Sequence, residues 1–166
     1  MKLSHFNNID DNERCRLLMG CCSCSRWATK LSAEGPFSSI QHLIEKATRC
    51  WSEMGEADIL EAFSGHPKIG DVKDLEKKYG SSPMEEQSSV RLANTKTLQR
   101  LKNKNEEYLE KFGFIFIVFA TGKSAEEMLG LLESRLENSR EMELKNGTKE
   151  QSLIFAKRLG QLLEVP

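Results

Sequence analysis

His66 is the residue in this chain best suited to move a proton. It stands in Ser64-Gly65-His66-Pro67-Lys68-Ile69-Gly70-Asp71, between two glycines and directly before a proline. The proline pushes His66 toward extended backbone, so the imidazole projects from a stiff corner. Gly65 and Gly70 allow bends or close approaches that a β-carbon obstructs. With an unperturbed pKa near ~6.5, histidine works as acid or base around neutral pH. A His-Pro turn is also an ordinary loop corner, so the reading needs companions. Ser81-Ser82-Pro83-Met84-Glu85-Glu86-Gln87 and Phe112-Gly113-Phe114-Ile115-Phe116-Ile117-Val118-Phe119-Ala120 are the candidates. In the first, Ser82 offers a helix cap, Pro83 a first-turn residue and Glu85 a capping-box partner, which puts Glu86 and Gln87 near the positive end of a helix dipole. Glu86 is then either a dipole partner on a solvated face or a second proton-handling group. Arg158, at the margin of an apolar stripe, either snorkels or turns its planar fork to an anion.

The composition limits what can position these groups. The chain has 166 residues, enough for one domain with a real core. Hydrophobic residues make up 39%, charged residues 30%, and the formal net charge is −1, which excludes a disordered chain and a basic nucleic-acid surface. Five cysteines, with Cys21, Cys22 and Cys24 clustered and no spaced CxxC pair, fit free thiols better than disulfides or a metal site. No apolar run is long enough for a bilayer, and Leu163-Glu164-Val165-Pro166 is not a peroxisomal address, so the expectation is a soluble cytoplasmic protein. Walker, dinucleotide-binding, Gly-x-Ser-x-Gly and zinc-protease patterns are absent, and neither a metal nor a cofactor is expected.

Periodicity predicts helices almost throughout. Residues 8 to 22 form a first helix capped by Asn7 or Asn8 and burying Leu18, Cys21 and Cys22; a short one carrying Trp27 and Leu31 ends before Gly35-Pro36. Ile40, Leu43, Ile44, Ala47, Cys50, Trp51 and Met54 make a core stripe ending at Gly55, with His42 off it and His5 in the N-terminal tail, both idle. A helix through Ile59, Leu60 and Phe63 leads to His66, and Val72, Leu75 and Tyr79 suggest another before Gly80. A long helix from about Pro83 to Phe112 carries Asn94, Leu98, Leu101, Asn105, Tyr108, Leu109 and Phe112, and Gly113 closes it. Residues 114 to 120 are β-prone but have no partner strand, which predicts an extended segment with backbone N–H groups available to a ligand. Ser124 and Glu127 cap a helix with Ala125, Met128, Leu129, Leu132 and Leu136 inside, and a last helix from Ser139 to Leu163 turns Leu144, Gln151, Phe155, Leu159 and Leu162 to one side. The expectation is an all-α, single-domain bundle of about eight helices over residues 1–166.

Taken in order, Phe6-Asn7, Cys21-Cys22 to Trp27, Pro36-Phe37, Glu61-Ala62-Phe63, His66-Pro67-Lys68-Ile69-Gly70, Glu86-Gln87, Phe112-Gly113-Phe114 and Arg158-Leu159 resemble the 2-oxo-4-hydroxy-4-carboxy-5-ureidoimidazoline (OHCU) decarboxylase family. The resemblance implies a helical homodimer without cofactor that acts on a small ureide in the last step of urate breakdown to (S)-allantoin. It places the family's catalytic histidine on His66 and its partner carboxylate on Glu86. Substrate contacts are implied for Pro67, for Ser82, Pro83, Met84, Glu85 and Gln87, for Phe116, Ile117, Val118, Phe119 and Ala120, and for Arg158. Pro83 stands where the family has a serine, with Ser82 beside it, and Ile115 and Gly35 also depart from the family's pattern. Two other functions fit parts of the pattern: a helical interaction module whose His66 corner is a plain turn, or a hydrolase of 5-hydroxyisourate in the same pathway.

Overall fold

Residues 1–67 and 88–163 are described by the computed structural model, the side chains of residues 88–94 excepted. Every regular element among them is a helix: α1 (Leu3–Asn8), α2 (Asp11–Cys21), α3 (Ser25–Ser32), α4 (Ile40–Ser52), α5 (Glu56–Ser64), α6 (Ser88–Phe112), α7 (Ala125–Leu136) and α8 (Arg140–Leu163). None of them is long and apolar enough to cross a membrane. The helix expected around residues 72–79, and the first residues, 83–87, of the long helix expected from Pro83 to Phe112, lie outside the described residues.

The helix expected over residues 8–22 is present as α2, starting a turn later than expected, and a short helix that was not expected, α1, precedes it and carries His5, placed in a tail by sequence. Asp10, in extended backbone, accepts a hydrogen bond from the Glu13 N–H at 3.1 Å and caps α2. Asn7 caps nothing; it donates to the Phe37 carbonyl at 2.8 Å and accepts from the Phe37 N–H at 2.9 Å. Arg14, almost wholly buried, donates to the carbonyls of Phe6, Asn7 and Ile9, which satisfies the end of α1. His42 also differs from its expected idleness. Its Nδ1 lies 3.2 Å from the Ser38 N–H, at the start of α4.

The chain divides into two compact units, the first comprising Met1–His66 and the chain from Thr148 onward, the second Pro67–Gly147. In the first, the predicted apolar stripes of α3 and α4 meet the C-terminal part of α8. Trp27 is fully buried, its ring 5.1 Å from Phe155, and its Nε1–H donates to the Ala47 carbonyl at 3.0 Å. Trp51 meets Phe155 edge-on at 6.0 Å and donates to the Thr148 carbonyl at 3.0 Å. Each indole thus buries apolar area, worth about 1.5–3 kcal/mol for a large side chain, without stranding its polar atom.

In the second unit Gly113 adopts φ +79°, a left-handed conformation that ends α6 as its sequence suggested. The rings of Tyr108, Phe112, Phe114 and Phe116 then pack with centroids 4.5 to 6.2 Å apart, Phe112 stacked on Phe114 and Tyr108 edge-on to Phe116. Residues 115–120 carry neither helix nor strand. The reason lies in their carbonyls, which side chains occupy: Arg135 donates to Ile117 at 2.7 Å and Lys123 to Phe119 at 2.8 Å. The capping box of Ser124 and Glu127 and all five predicted inward residues of α7 are as expected.

The start of α8 is not. Glu143, fully buried, takes the inward place expected for Leu144, which is half-buried. Its carboxylate accepts from the Tyr108 hydroxyl at 2.5 Å, Arg135 Nε at 2.7 Å, and the side-chain amides of Asn138 and Asn146 at 2.7 Å each. Burial pushes the Glu143 carboxyl upward, but these four donors outweigh it and hold it below its usual range. The Glu143 contribution is therefore present above the unfolded pKa of about 4.3 and disappears as pH falls through the lower folded value. Removing one partner of a buried pair strands the other, so Glu143→Gln should destabilise the protein by about 3–5 kcal/mol in urea unfolding at pH 7. A loss below about 1 kcal/mol would show that the network does not hold this unit.

Candidate active site

The His66 corner is made by the end of α5. The Gly65 N–H bonds the Ala62 carbonyl at 3.3 Å and the His66 N–H bonds Phe63 at 3.1 Å, which tightens the last turn just before Pro67. Gly65 has φ −76°, so its freedom to turn is not what the site needs. Space is: a β-carbon built there would overlap the Ser23 side chain, and only glycine lets α5 lie so close to the loop after α2. The sequence suggested a glycine for bending or for approach to a ligand; what Gly65 makes room for is Ser23.

The corner leaves Pro67 exposed and His66 half-buried. The imidazole Nε2 lies 2.6 Å from Oε1 of Gln151, a fully buried residue of α8. Seven residues further, two turns along the same helix, half-buried Arg158 donates from a guanidinium nitrogen to the Cys21 carbonyl at 3.1 Å. That bond caps the C-terminal end of α2, where a cation complements the dipole. Arg158 therefore does more than snorkel, and a five-donor guanidinium retains donors beyond this one.

Burial pushes the His66 imidazole below its ordinary pKa; the bond to Gln151 opposes this and the Arg158 charge adds to it. The two neighbouring thiols are withdrawn from chemistry. Burial raises Cys21 to about 11 and drives Cys22 still higher, against the pull of Arg158, so both stay protonated and poorly nucleophilic at neutral pH. All five cysteines are free thiols.

Cys24, Asp58 and Glu61 also converge closely enough to suggest a metal centre, but each already serves a helix start. Cys24 Sγ accepts from the Trp27 N–H, Asp58 from the Gly55 N–H and from Arg26, and Glu61 from the Ser25 N–H and hydroxyl. These bonds explain the cluster without an ion.

The remaining candidates fall in two groups. Ser82, Pro83, Met84, Glu85, Glu86 and Gln87 lie outside the described residues. Of the apolar segment, Phe116 and Ile117 are buried and Val118, Phe119 and Ala120 half-buried, in the second unit. Arg135 packs its guanidinium 4.7 Å from the Phe116 ring while holding Ile117, so it fixes this segment. Sequence reasoning assigned no role to Gln151 or Arg135. A readable signal existed for Gln151 alone: an amide inside an apolar stripe, one heptad before the arginine.

An all-helical protein with a half-buried, neutral-leaning histidine beside an arginine is the class that fold and site define. The chain belongs to the OHCU decarboxylase family, whose sequence model matches residues 7–160. It is 36% identical over 146 residues to the uric acid degradation bifunctional protein TTL of Arabidopsis thaliana, covering 86% of this chain and 45% of that one, so it spans less than half that relative's length. It is 31% identical over 144 residues to the OHCU decarboxylase of Halalkalicoccus jeotgali, covering 83% of this chain and 78% of the other. Among solved structures, a crystal structure of OHCU decarboxylase in the presence of (S)-allantoin matches with a TM-score of 0.73 at 33% identity, over 93% of this chain and 99% of that one.

The site makes its own prediction. In NMR titration of the folded protein, His66 should protonate below ~6.5, and Arg158→Gln should move it upward by removing a positive charge. Because the unfolded chain binds a proton that folded His66 resists, stability should decline as pH falls from about 6.5 toward the folded value. A His66 pKa at or above 6.5 would contradict the burial described.

Proposed function

We propose that this chain is an OHCU decarboxylase: it removes CO₂ from 2-oxo-4-hydroxy-4-carboxy-5-ureidoimidazoline to give (S)-allantoin, and does so as one 1–166 domain, without a cofactor, as a cytoplasmic homodimer. The observation that carries the reading is His66 itself. Burial leaves this imidazole largely neutral near pH 7, with a guanidinium acting on it, in a chain that belongs to this family.

The chemistry suits these residue types. When the carbon–carboxylate bond breaks, its electron pair passes into the imidazoline ring, which accepts it unaided. One proton must then replace CO₂, arriving from one face. His66 delivers that proton, a role typically worth ~10²–10⁴ in rate. Because Gln151 already holds Nε2 of the ring, Glu86 is assigned the substrate hydroxyl proton rather than the task of orienting the imidazole. Arg158 grips the polar edge of the substrate bidentately with donors not engaged at Cys21. Pro67, Ser82, Pro83, Met84, Glu85 and Gln87 shape the rest of the pocket, and Phe116, Ile117, Val118, Phe119 and Ala120 supply apolar wall and backbone N–H donors.

The test starts from urate with the upstream steps supplied, and follows CO₂ release and circular dichroism of the allantoin formed. Wild type should release CO₂ and build up the (S) enantiomer quickly. His66→Ala, folded by far-ultraviolet dichroism, should lose about 10²–10⁴ in kcat, and Glu86→Gln about tenfold or more. Arg158→Lys should raise KM about tenfold, or ~1.4 kcal/mol, with little change in unfolding midpoint. Near-normal turnover by folded His66→Ala would remove the histidine from the mechanism, and racemic product without enzyme-dependent CO₂ release would reject the decarboxylase reading. Light scattering on a sizing column should give twice the monomer mass; a monomer at micromolar concentration would reject the dimer.

A further inference from the structure

Gln151 occupies the middle of the buried face of α8, where Glu143, Phe155 and Leu159 are also wholly enclosed. Burying an amide with part of its hydrogen-bonding capacity unmet costs ~1–3 kcal/mol. A leucine would fill the stripe without that cost. The amide nitrogen of Gln151 makes no full hydrogen bond among the described residues; the sulfur of Cys22 near it is a poor acceptor. The strong contact of this side chain is the one from Oε1 to His66 Nε2, at 2.6 Å. An amide oxygen offers only lone pairs, so a hydrogen bond in this arrangement requires the hydrogen to sit on Nε2.

We propose that Gln151 is the positioning residue for His66: its buried amide oxygen accepts Nε2–H, which fixes the ring's orientation and tautomer and leaves Nδ1 as the nitrogen that takes up and releases protons. This rests on the acid–base reading of His66. Nε2 keeps its proton throughout, so the bond to Gln151 survives in both the neutral and the cationic ring, while Nδ1 gains one proton and gives one up. A fixed tautomer matters because a neutral imidazole with the wrong nitrogen protonated presents a donor where the reaction needs a lone pair. Among the described residues the charged group acting on the ring is Arg158; Gln151 is neutral, so it orients the ring without making it a permanent cation.

The inference is tested by ¹⁵N NMR of the full chain labelled at histidine, with His5 and His42 as internal references. Above its pKa, His66 should show the Nε2–H tautomer, and Gln151→Leu should release it into a mixture. In turnover, Gln151→Leu should lower kcat about tenfold or more, less than loss of the histidine itself, with KM within about twofold. Gln151→Glu keeps the shape but sets a carboxylate on Nε2–H; it should move the acid limb of the kcat–pH profile upward by about one unit or more. A wild-type His66 protonated on Nδ1 when neutral, an unchanged tautomer in Gln151→Leu, or an unshifted profile in Gln151→Glu would each overturn the proposal. If Gln151→Leu does not fold, the wild-type tautomer and the isosteric Gln151→Glu decide. Should His66→Ala keep its turnover, the acid–base reading fails on its own account, and the tautomer measurement still decides whether Gln151 holds the ring.

Discussion

Half-withdrawing an imidazole from water makes its cationic form expensive, and the site depends on that constraint. Burial at the end of α5 and the nearby Arg158 charge both press His66 toward neutrality, while a single hydrogen bond to Gln151 steadies the ring against them. None of this needs a carboxylate in contact. A carboxylate on Nε2 would have made a standing cation, whereas an amide leaves the ring free to take a proton and return it.

The rest of the first unit serves this arrangement. Gly65 brings α5 against Ser23, Arg158 anchors α8 to the last turn of α2, and the two tryptophans lock α3 and α4 onto the same stretch of α8 around Phe155. The second unit solves a separate problem: it holds a β-prone apolar run that pairs with no strand among the described residues. Arg135 and Lys123 take its carbonyls, and the buried Glu143 carboxylate fixes Arg135 in turn. Polar groups here take the place of a partner strand, of which there is none among the described residues.

Much of this was legible in the residues. The stripes of α3, α4 and α7, the Ser124 and Glu127 box and the left-handed Gly113 follow from spacing and local chemistry alone. The failures share a cause. Asp10 rather than Asn7 or Asn8 caps α2 because capping depends on which side chain is left unengaged, and Asn7 was already committed to Phe37, thirty residues away. Glu143 was misread because hydropathy counts a carboxylate as outward, whereas four donors make its burial tolerable; Gln151 was placed on the inward stripe, but the imidazole that gives it a role was not visible. Such partners are long-range, and no local window contains them. The His66 motif was recognisable because a histidine before a proline stands out in sequence, yet the reason for Gly65, the nearness of Ser23, was again long-range.

The most direct test of the account is a crystal structure of this protein with (S)-allantoin bound. It should show the ring of allantoin within hydrogen-bond reach of His66 Nδ1, with Nε2 still on Gln151 and the Arg158 guanidinium on a carbonyl of the ligand. Allantoin seated away from both His66 and Arg158 would contradict it.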